Sequence, residues 1–199
     1  MKKELEKRHA AGDATFSHFS FDANLLPELE DCFRNYSEKG TCRYRHYIHN
    51  SNEENLYGAK PGNFTKWKKF KEPSDLLFYE GLHGAVVNEE INLARYADLK
   101  IGVVPVINLE WIQKIHRDTD SRGYSTEAVT DTILRRMHAY VHCICPQFTE
   151  TDINFQRVPV VDTSNPLVAR WIPTADESLV VIRFLSLIHI SEPTRRLCI

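Results

Sequence analysis

The residues able to do chemistry fall in two places. The first is LLFYEGLHG, Leu76 to Gly84, where four large apolar residues run into Glu80 and a histidine, His83, follows between glycines. A carboxylate at the carboxyl end of a buried strand lies where open α/β sheets bind ligands. In phosphate-transferring proteins such an acid holds Mg²⁺ directly or through water. The same acid would equally cap a following helix or pair with a base, and this short stretch leaves both readings open.

The second place is Lys114, Arg117 and Arg122, with Asp118 among them. Lys114 and Arg117 stand three apart on an expected helix, so they converge on one ligand. Transfer of a phosphoryl group spreads negative charge over peripheral oxygens, and cations fixed in advance stabilise it. Arginine also grips phosphate through two parallel N–H bonds. The alternative is a solvated helix face, since Glu110, Asp118 and Asp120 are near enough in sequence to pair with these bases. Nothing in the chain matches GxxxxGK[ST], and no other glycine-rich strand-to-helix turn is present. These residues therefore supply no backbone cradle for phosphates.

Positioning these groups falls to a strand–helix–strand pattern. Residues 75–80 and 97–106 read as short apolar strands, covered on both faces as in a parallel sheet. Residues 85–96 between them read as helical, which implies an α/β layer fold. Asn108 is expected to cap a helix whose Leu109, Ile112 and Ile115 face the core. A further helix runs from about Ser125 to Ile144, with Val129, Ile133, Met137, Tyr140 and Ile144 as its stripe and Pro146 closing it. Strands are expected near 152–161 and 178–184.

Upstream, residues 1–12 read as a short polar helix. Asp22 is placed to cap a second helix carrying Leu25, Leu29, Phe33 and Tyr36, with Pro27 in its first turn and Gly40 at its end. Arg43 to His49 reads as an edge strand that puts Arg43, Arg45, Tyr47 and His49 on one face. Residues 50–71 read as loop, and the lysines around Trp67 as a solvated surface.

Composition bounds the rest. The chain has 199 residues, 42% hydrophobic and 26% charged, with 25 Lys and Arg against 27 Asp and Glu. That balance is ordinary for a globular domain and argues against a nucleic-acid binder that works by bulk charge. No apolar run approaches a membrane span, and MKKELEKRHAAGD lacks the apolar centre of a signal peptide, so the expected compartment is the cytoplasm. The five cysteines, Cys32, Cys42, Cys143, Cys145 and Cys198, form no CxxC pair and are expected to be thiols.

With these residues in view, the chain resembles the phosphoribulokinase family, in its bacterial form, from about Met1 to Phe184. The likeness rests on AAGDATFSHFSFDANLL, YGAKPGNFTKW, DLLFYEGLHGAVV, ADLKIGVVPVINLEWIQKIHRD, RGYSTEAVTDTILRRMHAYVH, TDINFQRVPVVDTSNP and ARWIPTADES. The resemblance implies an α/β P-loop kinase fold, with a mostly parallel sheet flanked by helices as in nucleoside and nucleotide monophosphate kinases. It implies transfer of the γ-phosphoryl group of ATP to O1 of ribulose 5-phosphate, giving the ribulose 1,5-bisphosphate of the Calvin cycle. It makes Glu80 the carboxylate of Mg²⁺–ATP. Lys114, Arg117 and Asp118 become catalytic, and Arg122, His49 and His83 contacts for the sugar phosphate. Arg183 falls in a region tied to activation by NADH. The family's bacterial members are homo-oligomers, generally octamers, with neither nucleic acid nor membrane as partner.

Two parts of the family pattern are not matched. The P-loop and the general-base aspartate of a GDAFHR-type segment are expected upstream of Met1, which then reads as an internal methionine. Residues 1–184 are thus expected to be a partial kinase domain, inactive by itself. Residues 185–199 open with LSLIHISEPTR, which resembles a translated sequencing adapter. A uridine kinase relative and a non-catalytic truncated product are the competing readings. The RD…RG pattern at Arg117–Gly123 occurs in many such kinases, whereas FYEGLHGAVV favours phosphoribulokinase.

Overall fold

The computed structural model describes residues 2–185. The adapter-like segment therefore lies outside the described residues from 186 onward. Helix α1, Lys2–Ala10, is the polar helix expected at the start. Helix α2, Leu26–Lys39, carries Pro27 in its first turn, where the missing N–H is no loss, and ends at Gly40, whose φ of 63° is the left-handed cap. Its buried residues are Leu26 and Phe33, and Leu25 stands outside as a half-exposed cap residue. Leu29 and Phe33 face the core as expected, and Leu26 takes the place expected of Leu25. Asp22 lies not at this cap but in a separate turn, Phe21–Ala23.

The left-handed turn at Gly40 folds the chain back beside α2. Cys42 is thereby brought to Cys32 with Cα atoms 5.0 Å apart, and the two are disulfide-bonded. The expectation of free thiols fails here, because a turn and not the spacing made the pair. Cys143 and Cys145 are free.

Strand β1, Arg43–Tyr44, pairs antiparallel with β2, Lys68–Lys69. It is shorter than the expected run to His49, since beyond it only the single bridge of Tyr47 to Phe64 continues the pairing. Helix α3, Ser51–Tyr57, occupies what read as loop. It has a reciprocal cap: Asn50 accepts from the Glu53 N–H, and Glu53 accepts from the His49 N–H at 2.8 Å.

Residues 75–80 are not a strand. They make no ladder among the described residues, and Leu76 and Phe78 are 79% and 84% exposed while Leu77 packs into the core. A run of this kind is a strand only when neighbours accept its backbone bonds. Residues 85–96 are not an α-helix either. The Asn88 side chain accepts the N–H groups of Glu90 and Ile91, which turns the chain into a narrow hairpin with Val87 bridged to Asn92. Its Val86, Ile91 and Leu93 close the first core with Leu26 and Phe33.

The second half carries a three-stranded sheet in the order β3, β4, β5: Ile101–Val103, Ile153–Pro159 and Ser178–Phe184. The β3–β4 pair is parallel, as expected, and β4–β5 is antiparallel. Gly102 is buried because the Asn154 side chain occupies the space a Cβ would need. Ile101 and Val103 are exposed, so β3 is covered on one face only.

Helix α4, Ile107–Arg122, starts after Val106; Asn108 lies inside its first turn and does not cap it. Leu109, Ile112 and Ile115 are buried as expected. Helix α5, Thr126–Ala139, is capped by Ser125 and ends earlier than expected. A wider turn, Tyr140–Ile144, and a tighter one, Cys145–Thr149, carry the chain on to β4. Ile115, Val129 and Ile133 form the core between the two helices. No described helix is long and apolar enough to cross a membrane.

Candidate active site

Helix periodicity builds the first half of the site. Glu110, Lys114, Asp118 and Arg122 recur every fourth residue of α4 and so share one face. Asp118 is the hub. It is 4% exposed and takes Lys114 Nζ at 2.5 Å, Arg117 Nε at 3.0 Å and Arg122 Nη1 at 3.1 Å. The Arg117 and Arg122 side chains are 56% exposed, so the carboxylate is the inner anchor and the guanidiniums form the outer rim. Burial pushes the Asp118 carboxyl up, but hydrogen bonds and charge from Lys114 and Arg117 outweigh it and hold the group below its ordinary value. A carboxylate depressed in this way stabilises the fold above its ordinary range, and that contribution disappears as pH falls through the folded value. The three predicted bases are thus gathered at one point, on a single carboxylate held below its ordinary value.

The second half is irregular and is held by side chains. The Tyr79 ring lies across Gly81 and Gly84, so near that a Cβ on Gly81 would meet its hydroxyl at 2.5 Å. Tyr79 also meets Phe33 edge-on at 5.1 Å. Glu80 follows and is exposed, with no ion pair or hydrogen bond among the described residues. His83 turns inward and is 5% exposed. Asn24 Nδ2 stands 3.0 Å from its Nε2 and Gln147 Nε2 stands 3.5 Å from its Nδ1. Burial lowers its affinity for a proton, partly opposed by a hydrogen bond to the His18 backbone. The predicted sugar-phosphate contact is therefore a buried neutral ring at the wall of a cleft of about 280 Å³, lined also by Leu29, Tyr79 and Leu82.

His49 lies elsewhere, exposed at the start of α3 with its ring edge-on to Tyr47 at 4.9 Å. Arg183 is exposed on β5, in register with Asn154. The structure thus brings together Lys114, Arg117, Asp118 and Arg122, and sets Glu80, His83, His49 and Arg183 in other surroundings.

Several residues of this region escaped the sequence reading. Gln147 is 7% exposed; its amide donates to the carbonyls of Leu82 and Cys143, and its Oε1 accepts the Ala85 N–H. It ties the acid-bearing loop to the end of α5. His18 is held neutral, its pKa pushed down to about 4 by burial and then by the charges of Arg136, Lys114 and His83. Glu110 is buried enough to have its carboxyl pushed up, against a hydrogen bond from Tyr140 and the charge of Lys114. Only the four-residue spacing of Glu110 from Lys114 was visible beforehand. The contacts of His18 and Gln147 are long-range and leave no local pattern.

A family model described as Phosphoribulokinase / Uridine kinase family matches residues 1–164. The chain belongs to this family. Phosphoribulokinase 2 of Cereibacter sphaeroides is 72% identical over 184 residues, which is 92% of this chain and 63% of that protein. Phosphoribulokinase of Nitrobacter vulgaris is 64% identical over 183 residues, with the same two shares, 92% and 63%. Among solved structures, phosphoribulokinase from Rhodobacter spheroides superposes with a TM-score of 0.84 at 68% identity, covering all of this chain and 69% of its own. The fold is accordingly the α/β fold of P-loop kinases. The chain spans under two thirds, 63%, of the length of the curated relatives it matches.

Proposed function

We propose that this chain is the larger part of a phosphoribulokinase domain, residues 1–184, whose complete protein transfers the γ-phosphoryl group of ATP to O1 of ribulose 5-phosphate. The bond from γ-phosphorus to its bridging oxygen breaks, the bond from O1 to phosphorus forms, and the O1 proton leaves to a base that this chain's matched motifs do not include. The observation that carries this reading is the convergence of Lys114, Arg117 and Arg122 on buried Asp118, in a chain 72% identical to a phosphoribulokinase.

In this reading Asp118 fixes the separation of the three bases. Lys114 and Arg117 meet the negative charge that develops on the transferring group, and Arg122 holds the sugar phosphate. His83 lines the approach of the sugar, and His49, from its separate place at the start of α3, is assigned to the sugar phosphate by the family likeness. Glu80 suits Mg²⁺, which binds through one or two carboxylates and the substrate's phosphates, because its carboxylate is exposed and uncommitted among the described residues. The ion would neutralise charge on the ATP phosphates. No group of three or more His, Cys, Asp and Glu among the described residues is arranged as a closed metal cage, and such a shared site requires none. Arg183 belongs to a response to NADH, the complete protein is a cytoplasmic homo-oligomer of octameric type, and residues 185–199 are foreign to the domain.

The test is to place residues 1–184 in the reading frame of the Cereibacter sphaeroides relative, in exchange for its matched segment. We expect ADP release that depends on ribulose 5-phosphate, and none from the 199-residue chain alone. Phosphorylation of uridine in place of the sugar phosphate, or turnover by the isolated chain, would overturn the assignment.

A further inference from the structure

Lys114 lies between two carboxylates, one helical turn to either side. Its ammonium is seen on Asp118, the residue one turn later. Yet in an isolated helix the favoured order is acid first and lysine four residues on, the order of Glu110 and Lys114. An ammonium has three N–H donors, and its hydrogen bond to Asp118 uses one oxygen of that acid. Glu110, whose carboxyl feels the Lys114 charge without a close ion pair to it among the described residues, is placed to be the second acceptor. Its Oε2 is buried and makes no hydrogen bond of its own among the described residues. The Tyr140 hydroxyl acts on the same carboxyl, and Cys145 interacts with both. A buried carboxylate oxygen left unpaired is unfavourable, so its persistence one turn from the Lys114 ammonium calls for a role.

We propose that Glu110, braced by Tyr140, is a positioning residue for Lys114: it offers a second seat on the helix face, so that the ammonium is shared between two acids and can leave Asp118 for the transferring phosphate. The proposal rests on the phosphoribulokinase reading and adds a residue to that site. With Glu110 neutral, Lys114 has only Asp118 and stays locked to it. Turnover then falls, while Arg117 and Arg122 still bind the sugar phosphate.

The groups acting on Glu110 are Lys114 on its own helix and, in the turns after α5, Tyr140 and Cys145, whose thiol feels the Glu110 charge directly. Burial raises the Glu110 carboxyl and Tyr140 lowers it. Activity that needs the charged form is lost as pH falls through the folded value, and removing the Tyr140 hydroxyl moves that limb to higher pH.

The experiment uses the complete exchanged enzyme with ATP and ribulose 5-phosphate. Glu110→Gln is expected to lower kcat at least about tenfold, to change KM for the sugar phosphate less than about threefold, and to abolish one ionisation on the acid side of the kcat profile. Glu110→Asp recovers part of the loss. Tyr140→Phe, which keeps the ring and its packing, lowers kcat less and shifts the acid limb upward. A kcat and acid limb unchanged in both Glu110→Gln and Tyr140→Phe overturn the proposal. Lys114→Met separates the two levels: if it retains full turnover, the assignment of the site fails, whereas its collapse beside an unaffected Glu110→Gln rejects Glu110 alone.

Discussion

Helix α4 and the loop around Glu80 offer opposite charges to one proposed site, and different physics holds them. On α4 the backbone does the positioning. Residues four apart fall on one face, so a single buried carboxylate can collect Lys114, Arg117 and Arg122 without help from distant chain. In the loop no backbone ladder fixes anything. Tyr79 lies across two glycines, His83 is held by Asn24, and Gln147 clamps the backbone at Leu82 and Ala85 from 65 and 62 residues away. Errors in the two regions should therefore have different consequences: a charge change on α4 disturbs chemistry and leaves the helix, whereas a change at a loop clamp disturbs structure first.

The largest test of that contrast is Asp118→Asn. It keeps the shape and removes the anchoring charge. Three cations that converge on one acid would then repel, and their geometry toward phosphate would loosen. We expect kcat/KM for ribulose 5-phosphate in the exchanged enzyme to fall by about 10²–10³-fold. The loss of stability should be smaller, about 1–2 kcal/mol, because Arg117 and Arg122 are more than half exposed and their pairs are screened. A large unfolding effect with little change in kinetics would show that Asp118 is a structural ion-pair hub and not part of a phosphate site.

Gln147→Leu probes the loop side. It retains most of the volume, strands the buried Ala85 N–H, and takes the donor from the part-buried Leu82 carbonyl. Unsatisfied buried groups cost about 1–3 kcal/mol each, so a total near 2–4 kcal/mol is expected in urea unfolding, given partial relaxation. Bound Mg²⁺–ATP should weaken as well, because the loop that carries Glu80 loses its tie to α5. A stability within about 0.5 kcal/mol of the parent would mean that Tyr79 and Asn24 hold the loop without Gln147.

The same division explains what could be read from sequence. The apolar stripes of α4 and α5, strands β4 and β5, and the pairing of Lys114 with Arg117 on one side of α4 were legible because each follows a period of the backbone. The strand expected at 75–80 was not there, since an apolar run becomes a strand only if another segment accepts its hydrogen bonds. The helix expected at 85–96 lost to one side chain, Asn88, which satisfies two N–H groups and turns the chain. The Cys32–Cys42 bond was hidden because it depends on the turn at Gly40. His18 and Gln147 were hidden for the same reason: their roles are contacts across the fold, and composition leaves no trace of them.

The smallest effect expected lies where the two regions meet. His18 faces Arg136 and Lys114 from the helices and His83 from the loop, and it is held neutral with a pKa pushed down to about 4 from 6.5. Unfolding frees the ring to take a proton at the higher value. Between those two values the unfolded chain binds more protons, so stability rises with pH there and is lost as pH falls from about 6.5 toward 4. His83 shifts in the same direction and adds to the slope. His18→Gln removes one of the two groups. We expect it to flatten the pH dependence of the unfolding free energy in that window by about 1–2 kcal/mol, because the site is only partly shielded from water. Above pH 7 the histidine is neutral in both states, so whatever difference remains there measures packing alone. An undiminished slope in His18→Gln would assign the acid sensitivity to His83 and the loop, and would leave the α4 cluster electrostatically independent of the segment around His18.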